Sequence, residues 1–205
     1  MRRLIYVPII HTMVDMGSRA EVLKQEYIRR FGAERWARSR QVIDEAWEGT
    51  RSRLLALGLP WERVRIYQDG LPVSGKELEI ARDVAAQGSK NYQLVMELVQ
   101  RGARLMGTES PELLIREYTH VKRIAEAESD AEREEARQSY AAESAEILKE
   151  RDVFIARRIA ETLREGEVGL LFLGMLHEVD RLLPEGIQVQ FLIDRLPLRE
   201  VEERR

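Results

Sequence analysis

Five short apolar runs of strand type punctuate the chain: LIYVPII (4–10), RVRIYQ (63–68), ARLMG (103–107), GLLFL (169–173) and IQVQFLI (187–193). Between them lie longer stretches in which apolar residues return every three or four positions, the spacing of one helix face. Strands alternating with helices in this way predict an α/β fold built on a parallel sheet. Helix boundaries are also signalled. Ser18 with Glu21 has the spacing of a capping box before a helix ending near Gly32, and Ser74 with Glu77 repeats it. A second helix over about 34–57 places Trp36, Ile43, Trp47 and Leu54 on one face and stops at Gly58 and Pro60; both tryptophans read as core. Gly88-Ser89 separates helices over about 75–87 and 90–101, and Ser110-Pro111-Glu112 opens another that reaches about Ala127.

The stretch AEAESDAEREEARQSYAAESAE (125–146) is polar almost all round, and predicts a solvated, projecting helix or one arm of a hairpin. An amphipathic face returns at Val153, Ile155, Ile159 and Leu163. No low-complexity linker divides the chain. The expectation is one α/β domain over 1–205, with a mainly parallel, or mixed, sheet of about five strands flanked by helices and a long polar helix or hairpin around 125–165.

Composition narrows the functional classes. With 33 basic and 36 acidic residues the formal net charge is −3, so no global field recruits nucleic acid or an anionic membrane. No cysteine is present, which removes thiolate nucleophiles, disulfides and Cys-based metal sites. A metal would have to rest on His and carboxylates. VGLLFLGML falls far short of the ~20 apolar residues needed to span a bilayer, and MRRLIYVPII reads as a first strand rather than a targeting segment. These features point to a cytoplasmic protein acting on a small molecule or peptide, without nucleic-acid or membrane partners and compatible with a homo-oligomer.

In open parallel sheets, ligands bind where strands end and loops and helix N-termini converge. Strand one delivers His11 and, four residues on, Asp15; strand two Gln68-Asp69-Gly70; strand three Thr108-Glu109; strand four Gly174 and His177-Glu178; strand five Asp194-Arg195. The chain has three histidines, and His11 and His177 both follow strand-type runs, whereas His120 falls inside a helix. Glu178 and Asp194-Arg195 read as turn or surface residues. Two imidazoles and a carboxylate can hold a divalent metal that lowers the pKa of a bound water to about 7. Without metal, a histidine beside a helix N-terminus stays neutral and serves as a general base. Either route serves hydrolysis. A nucleotide-binding function ranks last, because no Gly-x-Gly-x-x-Gly or P-loop pattern follows a strand.

Arg151-Asp152, Ile155-Ala156, Ile159, the run into Gly174-Met175-Leu176-His177, Leu182-Leu183, Gly186-Ile187 and Val189 together resemble the closing segment of the TraB/Tiki family. That family is grouped in fold with the erythromycin esterases and the ChaN-like proteins. The likeness covers roughly 151–190. It implies two Gly-x-x-His motifs at strand ends, an acid, and an arginine upstream of the second motif. His177 matches the second histidine and Arg151 the arginine. His11 matches the first histidine, although Pro8 stands where the family has glycine. The acid is Asp69 by position or Glu109 by chemistry.

The resemblance implies metal-dependent hydrolysis of a peptide or ester bond. The expected site therefore comprises His11, His177, Asp69, Glu109 and Arg151, with His11, His177 and Asp69 as ligands of a manganese, cobalt or zinc ion. Arg151 is expected to hold a substrate carboxylate or phosphate, or to stabilise developing negative charge. The competing expectation is a non-catalytic binding or signalling module on the same fold, which binds a small anion in the same cleft while the polar helix meets a partner.

Overall fold

The computed structural model describes residues 1–9, 25 and 28–193. Its centre is a five-stranded, all-parallel sheet of order β3-β2-β4-β1-β5, formed by β1 (Arg2–Ile9), β2 (Val64–Gln68), β3 (Arg104–Met106), β4 (Val168–Gly174) and β5 (Ile187–Phe191). All five apolar runs thus become strands. β4 is the middle strand and every one of its residues, VGLLFLG, is buried, as expected of a strand covered on both faces. The edge strands β3 and β5 are short and half exposed.

Alternation along the strands separates two apolar layers. Ile5, Val7 and Ile9 with Val64, Ile66, Leu170 and Phe172 face α1 (Ala33–Ala56) and α3 (Lys90–Gln100), which contribute Trp47, Leu54, Leu94, Val95 and Leu98. Leu4, Tyr6, Tyr67, Leu171 and Leu173 face Ile155, Ala156 and Ile159 of α5 (Asp130–Thr162). Of the face predicted on α1, Trp47 and Leu54 are buried while Trp36 and Ile43 are half-buried.

Pro8 lies in a strand flanked on both sides, where a missing N–H would normally cost a ladder bond. Leu192 N donates to the Tyr6 carbonyl, which shows that Tyr6, and by alternation Pro8, turns its backbone polar groups toward β5. The β1–β5 register ends at Tyr6 opposite Phe191. Proline therefore stops that ladder without orphaning a partner inside it.

The helix starts follow the signals with one shift. Ser89 and Ser110 cap α3 and α4 (Pro111–Glu126), accepting from Tyr92 N and Leu113 N. Glu77 reaches back to the N–H groups of Ser74 and Gly75, but Ser74 Oγ accepts from Lys76 N, and α2 (Glu77–Ala86) starts about two residues later than expected. The Ser18–Glu21 box lies outside the described residues.

The polar stretch and the amphipathic segment that follows fuse into one helix, the 33-residue α5. Its first two thirds pair antiparallel with α4 through Arg123–Glu135, Arg116–Glu143, Arg116–Glu150 and Tyr140–Glu117. These contacts are electrostatic because α4 has no buried residue to offer. His120 sits in this hairpin, 3.5 Å from Glu143 and with its ring against Tyr140, as an ordinary helix-face residue. Val153 departs from the expected face and is exposed. No α-helix follows β4: the chain makes a turn and one 3-10 turn (Val179–Arg181) before β5.

Below the sheet, at the strands' amino ends, Arg65 of β2 donates through Nε and Nη2 to both oxygens of Glu167 (2.9 and 2.7 Å). That bidentate pair, with a further bond from Arg164 N, holds the Glu167 carboxyl below its usual range despite partial burial. A depressed carboxylate pKa stabilises the fold above the unfolded value, ~4.3, and the contribution is lost as pH falls through the folded value. Glu167→Gln should lower stability at pH 7 by about 1–3 kcal/mol. Thermal melts against pH should show its deficit shrinking below pH ~4; a constant deficit would show that the charge of the pair is irrelevant.

Candidate active site

Two interlocked loops build the carboxyl edge. β2 runs into Asp69-Gly70, where Gly70 takes a φ of +72° that side-chain-bearing residues rarely adopt. β3 runs into Gly107-Thr108-Glu109. Thr108 Oγ1 accepts from Gln68 N, Thr108 N and Glu109 N both donate to the Leu71 carbonyl, and Val73 N donates to the Glu109 carbonyl. Gly107 is required by space, because a Cβ there would sit 2.7 Å from Val73 Cα and from Glu77 Oε1. These bonds hold the Asp69 and Glu109 side chains on the same side of the sheet as α5.

Arg151 of α5 meets them. Its Nε donates to Glu109 Oε2 (3.1 Å), its Nη2 to Glu109 Oε1 (2.6 Å) and Asp69 Oδ1 (2.8 Å), and its Nη1 to Glu117 Oε2 of α4 (2.8 Å). Gly70 N adds a bond to Glu109 Oε1. Glu109 is fully buried, and Asp69 and Arg151 nearly so. Burial pushes the Glu109 carboxyl up from its usual range against the opposing pull of Arg151. Burial would lower Arg151, but its bonds and charge interactions with Glu109, Asp69 and Glu117 outweigh that and leave it raised. The Tyr140 hydroxyl, pushed up to about 12 by burial and by the Glu117 charge, donates to Glu117 Oε1 and extends the network into the hairpin.

His177 closes the arrangement. It is 4% exposed, on a turn in which its N–H donates to the Gly174 carbonyl, while the preceding Met175 and Leu176 are exposed at the surface. Its Nδ1 bonds Asp152 Oδ1, and its Nε2 lies 3.8 Å from Asp69 Oδ2, which accepts from Gly174 N (3.0 Å). Four of the five expected residues, Asp69, Glu109, Arg151 and His177, therefore share one buried cluster. His11, like Asp15 and Asp194-Arg195, lies outside the described residues. Glu178 has an exposed side chain paired with Arg181, as a turn residue would.

The geometry bears on three of the expectations. Arg151 gives four of its N–H bonds to the protein's own carboxylates, so the cation that was to bind a substrate anion instead neutralises Asp69 and Glu109. The chain that leaves His177 continues into a 3-10 turn, Val179–Arg181, and not into an α-helix, so His177 does not itself open a helix. As for a metal, no three His or carboxylate groups among the described residues converge as ligands. They offer two suitable donors, His177 Nε2 and Asp69 Oδ2, and His11, the third expected ligand, lies outside the described residues.

Sequence reasoning did not place Asp152 or Glu117 in the site. Both are helix residues rather than strand-end residues, and the available signal was Asp152's adjacency to Arg151. Gln68, on the opposite face of β2, keeps its Oε1 buried without a hydrogen-bond partner among the described residues. No family model, curated protein or solved structure matches the chain.

Proposed function

We propose that this protein is a hydrolase of peptide or ester bonds, of TraB/Tiki type, in which His177 is the general base. The observation that carries the reading is a buried imidazole at the carboxyl edge of a parallel sheet, bonded through Nδ1 to one carboxylate and directing Nε2 toward a second. A purely structural histidine has little need of two flanking acids. A water in reach of Nε2 and Asp69 Oδ2 would give its proton to Nε2 while its oxygen attacks the carbonyl carbon. The imidazolium would then return that proton to the departing amine or alkoxide.

Arg151 has a supporting role here. It fixes the Asp69 carboxylate beside His177 and offsets the charge of Glu109. The resemblance adds its own support, since the histidine and arginine it matches lie in the same cluster as both candidate acids. A bound manganese, cobalt or zinc ion would supply an activated water at His177 Nε2 and Asp69, with His11 as the further ligand. The anion-binding alternative fits less well, because the guanidinium it relies on is already surrounded by acids.

Turnover of p-nitroanilide peptides and p-nitrophenyl esters, with and without added manganese, cobalt or zinc, tests the reading. His177→Ala should lower the rate about 10²- to 10⁴-fold with the fold intact by circular dichroism. Hydrolysis that survives the substitution would remove His177 from the chemistry, and a wild-type protein inert to the whole panel under every metal condition would remove the hydrolase reading.

A further inference from the structure

Asp152 is buried, follows Arg151 on α5 and has both oxygens committed. Oδ1 bonds the His177 ring at Nδ1, and Oδ2 accepts from the backbone N–H of Glu178 (2.8 Å). An ionised carboxylate can only accept, so a neutral imidazole bonded to it must carry its proton on Nδ1. The lone pair is then on Nε2, the nitrogen that faces Asp69. The second bond matters equally, because it ties the same carboxylate to the turn that carries His177 and removes the freedom of ring and turn to rotate independently.

We infer that Asp152 is the positioning residue of the site: it selects the Nδ1-protonated tautomer of His177 and aims Nε2 at the place of reaction. This rests on the reading of His177 as the working base, and it holds equally for a base acting on water and for a metal ligand, since either needs the Nε2 lone pair. Successive residues of one helix thereby govern both halves of the cluster. Arg151 fixes the charge of the acids, and Asp152 fixes the proton of the imidazole.

Asp152→Asn supplies a sharp test. Glu178 N requires an acceptor, so the asparagine oxygen should turn to it and leave the NH2 group facing His177 Nδ1. That arrangement forces the opposite tautomer, with the proton on Nε2. Long-range 1H–15N correlation spectra of histidine-labelled protein, recorded as a pH series because each neutral tautomer and the doubly protonated ring give different patterns, distinguish the two, with His177→Gln identifying the signal.

The expected result is an Nδ1–H tautomer in the wild type, an Nε2–H tautomer in the variant, and a 10- to 100-fold fall in any hydrolysis detected. A wild-type His177 with its proton on Nε2 overturns the inference and needs no variant to fold. So does a variant whose tautomer is unchanged, or one that switches tautomer yet hydrolyses at the wild-type rate. The expected tautomers in wild type and variant, together with a wild type that hydrolyses nothing, leave the positioning role standing and defeat the hydrolase reading instead.

Discussion

Arg151→Met should destabilise the protein by about 3–5 kcal/mol, the range for removing one partner of a buried ion pair. The guanidinium is the one cation bonded to Asp69 and Glu109 among the described residues, and both carboxylates are buried. Without it, two like charges would face each other away from water, and the fold would have to protonate one or open. Methionine fills much the same volume, so the loss reports charge rather than a void. The pair of variants R151M and R151M/E109Q isolates the cause: neutralising Glu109 should restore part of the stability that the single substitution removes. Guanidinium denaturation measures both. A double variant that is less stable than the single one would show that Glu109 is not strained by the loss of Arg151.

Phe172→Ala should cost a similar ~3–5 kcal/mol for an unrelated reason. Phe172 is fully buried on β4, where its ring packs in the layer between the sheet and helices α1 and α3, with Val7 opposite it on β1 and Gln68 opposite it on β2. The middle strand cannot shift to fill the space, because β1 and β2 hold it on either side. The denaturation midpoint should fall with the m-value unchanged; a loss under 1 kcal/mol would mean that the layer collapses around the gap. The two substitutions also differ in what they respond to. Lowering the pH toward the carboxyl range should shrink the Arg151→Met deficit as Glu109, whose carboxyl burial already pushes up, takes up a proton, and leave the Phe172→Ala deficit alone.

The strands were legible because each is a compact apolar run, and the candidate acids were legible because a parallel sheet directs attention to its carboxyl ends. Both acids left open by the sequence are in the cluster, since one guanidinium bridges them. The turn after β4 was harder to read. GLLFLG followed by His177-Glu178 looks like a strand entering a helix, but Pro184 and Gly186 follow within ten residues and leave room only for a 3-10 turn. Asp152 and Glu117 escaped notice because a helix periodicity places them among surface charges. Only the packing of α5 against the sheet, and of α4 against α5, brings them inward. The long helix around 125–165 was legible, because no helix breaker separates the polar stretch from the amphipathic one; α5 continues through both, and it also forms the hairpin with α4.

That fusion gives α5 a mechanical character. At 1.5 Å per residue it is a rod of ~50 Å, held to the sheet by Ile155 and Ile159 and bearing Arg151 and Asp152 one turn from that anchorage. Its far end, near Ala131, stands about six times farther from Ile155 than Arg151 does. With no proline or glycine along it to act as a hinge, displacements scale along its length like those of a lever. A tilt that moves the two site residues by ~0.5 Å sweeps the tip of the hairpin through ~3 Å. By that ratio the buried cluster would feel about one-sixth of any displacement of the hairpin tip.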